Sequence, residues 1–228
     1  MLATMAEQRA TLDARRLPRG RHGLLPGAVV ENQRQRLIHA VPAVVHEKGF
    51  IAMTVEDLAG RAGVSRKTFY ENFHDKRDCF LASYRQYARE LSAVVESASA
   101  VGNDWAERTR SALGALLRFL AARPDVADMG VVELMAAGPD ALVERDRLVA
   151  GFAALLGDEA WEAAPAPVPR LMLETIAGAI WQLIYAAVLT GHAEQLEELL
   201  PTFMYMVLVP MHGPEGAASR AQLVPALE

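Results

Sequence analysis

Apolar residues return every three or four positions along most of this chain, and no strand-like alternation bounded by turn residues appears, so the pattern predicts helices and no sheet. From Ala28 onward, Val29, Ile38, Val41, Val44 and Val45 keep roughly helical spacing and stop at Gly49. Pro42 lies inside that stretch, where it removes one backbone bond, and a kink is expected there. Thr54 opens a short second helix: its hydroxyl can cap a free N–H, and Glu56 and Asp57 set negative charge at the positive end of the dipole. Val55, Leu58, Ala59 and Ala62 form the buried face, and Gly63 ends the helix with a positive φ. Val64 follows as a buried plug, Ser65 caps the next helix, and Phe69 and Phe73 share one face of it. Asp75 caps a longer helix through Cys79, Phe80, Tyr84, Tyr87 and Leu91 that fades near Gly102. Further helices are expected near 104–122, 124–136, 139–156, 168–190 and 194–210, separated by Pro124, Gly138–Pro139, the APAPVP run at 164–169, and Gly191.

The fold class that follows is all-α, with a three-helix N-terminal domain at 27–76 and a larger helical domain at 77–212. A helix from 76 to about 100 links the two. Residues 1–26, rich in Arg, Pro and Gly, read as a flexible basic arm, and 213–228 as a disordered tail.

Composition narrows the class of protein. An apolar fraction of 52% is too high for a disordered chain. One cysteine, Cys79, leaves no internal disulfide and fits a reducing compartment. The polar start MLATMAEQRATLDARR holds no apolar run of signal-peptide length, so a cytoplasmic protein is expected. Leu171–Leu189 is long and apolar, but Glu174, Thr175 and Gln182 interrupt it, and a charge at mid-bilayer costs about 2.5–3.5 kcal/mol. A core helix or a subunit interface explains it better than a membrane span.

Net charge divides the chain. The whole carries −5, yet residues 1–90 hold 15 basic against 10 acidic side chains and residues 91–228 hold 8 against 18. That asymmetry points to a nucleic-acid-facing N-terminal part joined to an acidic part with another task.

The segment TVEDLAGRAGVSRKTFYENFHDK, Thr54–Lys76, has the layout of a helix-turn-helix: two short helices, small Ala59 at the crossing, and a glycine turn. Such a motif lays its second helix in the major groove. The outer face of that helix carries Ser65, Arg66, Lys67, Thr68, Tyr70 and Asn72. Arginine and lysine can donate to guanine, asparagine can pair with adenine, and the threonine methyl can touch that of thymine. Lys76 and the N–H groups behind Thr54 suit phosphates. Tyr70 is either a DNA contact or half-buried core. Arg15, Arg16, Arg19 and Arg21 either form a solvated tail or enter an adjacent minor groove. Nothing points to catalysis: there is no G-x-S-x-G, Walker loop or G-x-G-x-x-G, and His39 and His46 lack a third ligand nearby. No catalytic residue, metal site or cofactor is therefore assigned.

On Thr54–Val55, Leu58–Ala59, Ala62–Gly63–Val64–Ser65, Thr68–Phe69–Tyr70, Phe73 and Lys76, the segment from about Val29 to Leu91 resembles the DNA-binding domain of the TetR/AcrR family of bacterial regulators. The resemblance implies a homodimer on double-stranded operator DNA, acting as a repressor released by a small-molecule inducer. It places Thr54, Thr68, Tyr70 and Lys76 on the DNA backbone and Arg66 and Lys67 at base edges. It also implies a ligand cavity in the larger domain, with 168–190 and 194–210 forming a four-helix dimer interface. The apolar bias there suggests an apolar or aromatic ligand. The candidates are Trp105, Phe119, Met129, Phe152 and Trp181, with Glu133, Gln182 and Tyr185 as polar anchors. Histidine is frequent in the family where this chain has Asn72, and Pro42 is unusual in the first helix. The alternatives are a helical small-molecule-binding protein or enzyme with a vestigial helix-turn-helix, and a helix-turn-helix that contacts protein.

Overall fold

The computed structural model describes residues 26–162 and 171–222; the side chains of 26–27, 155–162 and 173 lie outside the description. The expected basic arm, with Arg15, Arg16, Arg19 and Arg21, falls outside the described residues, as do the APAPVP run and the last six residues. The described residues form helices α1 (Pro26–Ala52), α2 (Val55–Ala62), α3 (Arg66–Asn72), α4 (Lys76–Ser99), α5 (Trp105–Ala121), α6 (Pro124–Ala127), α7 (Pro139–Glu162), α8 (Leu171–Leu189) and α9 (Leu200–Ala221). The chain divides into two compact units, Met1–Tyr84 and Arg85–Glu228.

In the first unit α1 to α3 and the start of α4 enclose one core. Leu37, Leu58, Phe69 and Phe80 are fully buried, and Phe50 meets Phe80 edge-on at 5.0 Å. Burying each such side chain contributes about 1.5–3 kcal/mol, which is what holds α2 and α3 in place. Both helices are too short to persist alone.

Pro42 does not break α1. A proline leaves the carbonyl four residues earlier without its helical donor, here that of Ile38. The Ser83 hydroxyl donates to that oxygen at 2.9 Å inside the core. The break comes instead at Gly49, whose φ of 73° only glycine adopts easily.

In the second unit α5 is almost wholly buried between Thr109 and Leu120, and its start is capped by Asp104, which accepts from the Glu107 N–H at 2.9 Å. The expected single helix at 124–136 is three windings in succession: α6, a π turn at Asp128–Val132 and a 3-10 turn at Glu133–Ala137. Its buried positions Val126, Ala127, Met129, Val131, Leu134 and Ala137 do not share one 3.6-residue stripe, and changing the winding brings them inward together.

The expected helix at 194–210 is a 3-10 turn, Ala193–Leu199, followed by α9. Where a disordered tail is expected from 213, α9 continues to Ala221 after a break at Gly213, φ 67°. Ala217 and Ala221 lie four apart and are fully buried, and Arg110 donates to the Arg220 carbonyl at 2.6 Å. Small residues that looked like linker composition are there for close packing. Among the described residues no helix is long and apolar enough to cross a membrane.

Candidate nucleic-acid interface

The helix-turn-helix is built from local rules that its sequence satisfies one after another. Thr54 caps α2 by accepting from the Asp57 N–H at 3.2 Å, and Asp57 answers by accepting from the Thr54 N–H at 3.0 Å. The Lys48 ammonium donates to the other Asp57 oxygen at 2.5 Å. That bond and the Thr54 hydroxyl hold the Asp57 carboxyl down at about 2. Gly63 ends α2 in the left-handed region (φ 63°, ψ 39°), letting the Val64 N–H reach back to the Ala59 carbonyl at 2.9 Å. Val64 is half-buried in the turn. Ser65 then caps α3, accepting from the Thr68 N–H at 3.0 Å.

This turn sets α3 with Phe69 in the core and Arg66, Lys67 and Tyr70 facing solvent. The Lys67 side chain is 87% exposed, with only a loose 3.8 Å pairing to Glu71. Tyr70 is 54% exposed and touches Phe69 only edge-on, at 5.4 Å, so it is not core. Ser65, Arg66, Lys67 and Tyr70 thus stand together on one open face.

Other expected contacts are placed differently. The Thr54 hydroxyl hydrogen is spent on Asp57 Oδ2 at 2.8 Å. Thr68 is half-buried and its hydroxyl lies 3.0 Å from that of Ser65. The Asn72 amide turns back to donate to the Thr68 carbonyl at 2.8 Å, away from the open face. Lys76 is the clearest correction. Its ammonium donates to the carbonyls of Phe50, Ile51 and Met53 at 3.0, 2.9 and 2.9 Å, which uses all three of its hydrogens. It ties down the carbonyls after the Gly49 break and does not reach toward a phosphate.

Two further cations, which sequence reasoning missed, act on α2 and α3 in the same way. Arg36 donates to the carbonyls of Ala62 and of Gly63, the latter at 2.9 Å. Arg34 donates to the Asn72 carbonyl at 3.2 Å and lies 4.4 Å above the Phe73 ring. Positive charge at a helix C-terminus also complements the dipole.

In the second unit, Met129 is fully buried and Phe119 nearly so, while Trp105, Phe152, Trp181 and Tyr185 pack half-buried against the same apolar core as Phe119. Glu133 is half-buried where the π turn meets the 3-10 turn. Gln182 departs from expectation: it is exposed, on a stripe of α8 with Leu171, Thr175, Gly178, Ala186 and Leu189. An open groove of about 430 Å³ between α4 and α5 is lined by Val94, Val101, Phe119, Arg118 and Arg123 among others, and Phe119 is the one ligand candidate on its wall. Cys79 is buried in the first unit, and burial pushes its thiol up, which makes it inert.

Comparison with known proteins bears on the same segment. Residues 37–83 match the family described as bacterial regulatory proteins, tetR family. The chain is 30% identical over 90 residues to the HTH-type transcriptional activator FasR of Mycolicibacterium smegmatis, covering 40% of this chain and 41% of that protein. It is 27% identical over 71 residues to the transposon Tn10 TetC protein of Escherichia coli, covering 31% and 36%. The chain thus spans about two fifths of the length of the curated relatives it matches. Among solved structures, the fatty acid degradation regulator FadR of Bacillus halodurans superposes with a TM-score of 0.69 at 20% identity, over 77% of this chain and 94% of that one. FadR of Bacillus subtilis, solved in complex with stearoyl-CoA, gives 0.68 at 15% identity, over 78% and 98%. At such identities the likeness is one of fold. The segment that matches the tetR family of bacterial regulatory proteins thus encloses the helix-turn-helix at Thr54–Phe73.

Proposed function

We propose that this protein is a sequence-specific DNA-binding regulator that works as a homodimer in the cytoplasm and is released from a palindromic operator by a small apolar ligand. The observation that carries the reading is the open face of Ser65, Arg66, Lys67 and Tyr70 on a helix fixed by Phe69 and by caps at both ends. Arg66 and Lys67, at the start of α3, are in the place from which a recognition helix reads base edges. Tyr70, on the same open face, is assigned to the DNA backbone.

The dimer reading is supported by the exposed small and apolar stripe of α8, joined by the half-exposed Tyr205, Met206 and Val209 of α9. The ligand reading is supported by the aromatic-rich apolar core of the second unit. A ligand there would favour a dimer whose recognition helices are badly spaced for DNA, a coupling of about 1–3 kcal/mol.

Selection of duplex DNA from a random pool by the purified protein tests the reading. A palindrome should be enriched, and Arg66→Ala with Lys67→Ala should abolish tight binding to it. No enrichment at low salt, from protein shown by mass analysis to hold no co-purified small molecule, would overturn it in favour of a vestigial motif.

A further inference from the structure

We infer that Arg34 and Arg36 of α1 are positioning residues for base reading: they hold the far ends of both helices of the motif and touch no DNA themselves. The recognition helix α3 is only seven residues long, and Phe69 is its one fully buried member. A helix so short is not rigid in its own right, and a single buried ring leaves it free to rock about that ring. What fixes its direction is anchorage at both ends. Ser65 and the Gly63 turn anchor the start. At the other end Phe73 leaves the helix in extended conformation, and Arg34 grips that exit twice, by the bond to the Asn72 carbonyl and by stacking over the Phe73 ring. Arg36 does the same for α2, bonding the last carbonyl and that of the turn glycine.

The two arginines are two positions apart on α1, so they point to different sides of it. One short stretch of α1 thereby reaches the ends of both helices. A planar guanidinium can stack on an aromatic ring and donate along its edge at once, which a lysine ammonium cannot reproduce. Base contacts need placement within about 0.5 Å, whereas phosphate contacts tolerate more. Loss of the Arg34 anchor should therefore reduce discrimination between sequences before it reduces affinity for DNA in general. The DNA part of this inference rests on the regulator reading proposed above.

The test uses the full-length protein with Arg34→Met, which keeps an apolar stem over Phe73, and Arg34→Lys, which keeps the charge. Binding is measured to the selected palindrome and to a random duplex of equal length, alongside hydrogen exchange of the 66–73 amides in the free protein. The expected result for Arg34→Met is a loss of about tenfold or more on the palindrome and less than about twofold on random DNA. Amides 70–73 should exchange faster while those of α1 are unchanged, and Arg34→Lys should recover only part of the discrimination. An equal loss on both DNAs would make Arg34 a phosphate contact and overturn the inference. So would unchanged exchange at 70–73, a readout that stands even if no palindrome is selected.

Discussion

The Ser83 hydroxyl donates to the Ile38 carbonyl, 2.9 Å away, and so satisfies the acceptor that Pro42 leaves without a helical partner. A proline in mid-helix and a serine 41 residues later form one buried unit. Ser83→Ala should cost about 1–3 kcal/mol, because it orphans a buried carbonyl. In a Pro42→Ala background, where the backbone N–H returns, the same change should cost much less. Urea unfolding of the four proteins reads the coupling directly, and equal costs in both backgrounds would refute the repair.

Asp57 makes the start of α2 acid-sensitive. Its carboxyl titrates at about 2 in the folded protein against an ordinary 3.8, because Lys48 and Thr54 bond the charged form. A folded value below the unfolded one means that its stabilisation is complete above pH 3.8 and is lost as pH falls through about 2. Asp57→Asn should lower the melting temperature at neutral pH and flatten its decline between pH 4 and pH 2. A parallel decline in wild type and variant would show that Asp57 plays no part.

Lys76→Met keeps the side chain's apolar length but removes the donor to three carbonyls. We expect a loss of about 1–3 kcal/mol in unfolding free energy. Exchange should quicken in the amides from Gly49 to Thr54. A variant as stable as wild type, but with weakened DNA binding, would return Lys76 to the phosphate-contacting role.

The exposed stripe of α8 predicts where a dimer can be broken without harming the subunit. A side chain built at Gly178 meets nothing within 4 Å. Gly178→Arg should leave the circular dichroism spectrum intact and shift sedimentation from dimer to monomer. Wild-type sedimentation as a monomer at high concentration would remove the dimer from the proposal.

What the sequence made legible depended on how local the governing rule is. Thr54, Gly63 and Ser65 could be read because caps and left-handed turns are set within four residues, and Phe69 with Phe73 because a shared face follows from helical spacing. Lys76 misled because a lysine reads alike whether it faces phosphate or folds back; the carbonyls it meets are offered by a break at Gly49, far away in sequence. Arg34 and Arg36 went unread because the carbonyls they hold lie 38 and 26 residues on, beyond the reach of any local pattern. Gln182 was misplaced because α8 is apolar nearly all round, so periodicity could not say which face turns inward. At 128–137 the apolar spacing fits no single winding, and a reading that assumed one helix had to miss the change.

The internal use of cations in the first unit limits how strongly that unit can be drawn to a polyanion. Arg34, Arg36 and Lys76 are committed to carbonyls, and Lys48 and Arg61 to Asp57 and Glu47. A tally of basic residues counts all five as if each could displace an ion condensed on DNA. Each phosphate neutralised contributes about 0.9 to the slope of log affinity against log salt, and a cation already paired within the protein adds less to it than a count of basic residues implies. On the regulator reading proposed above, a protein so built would owe its residence on DNA to the bases it reads more than to its charge.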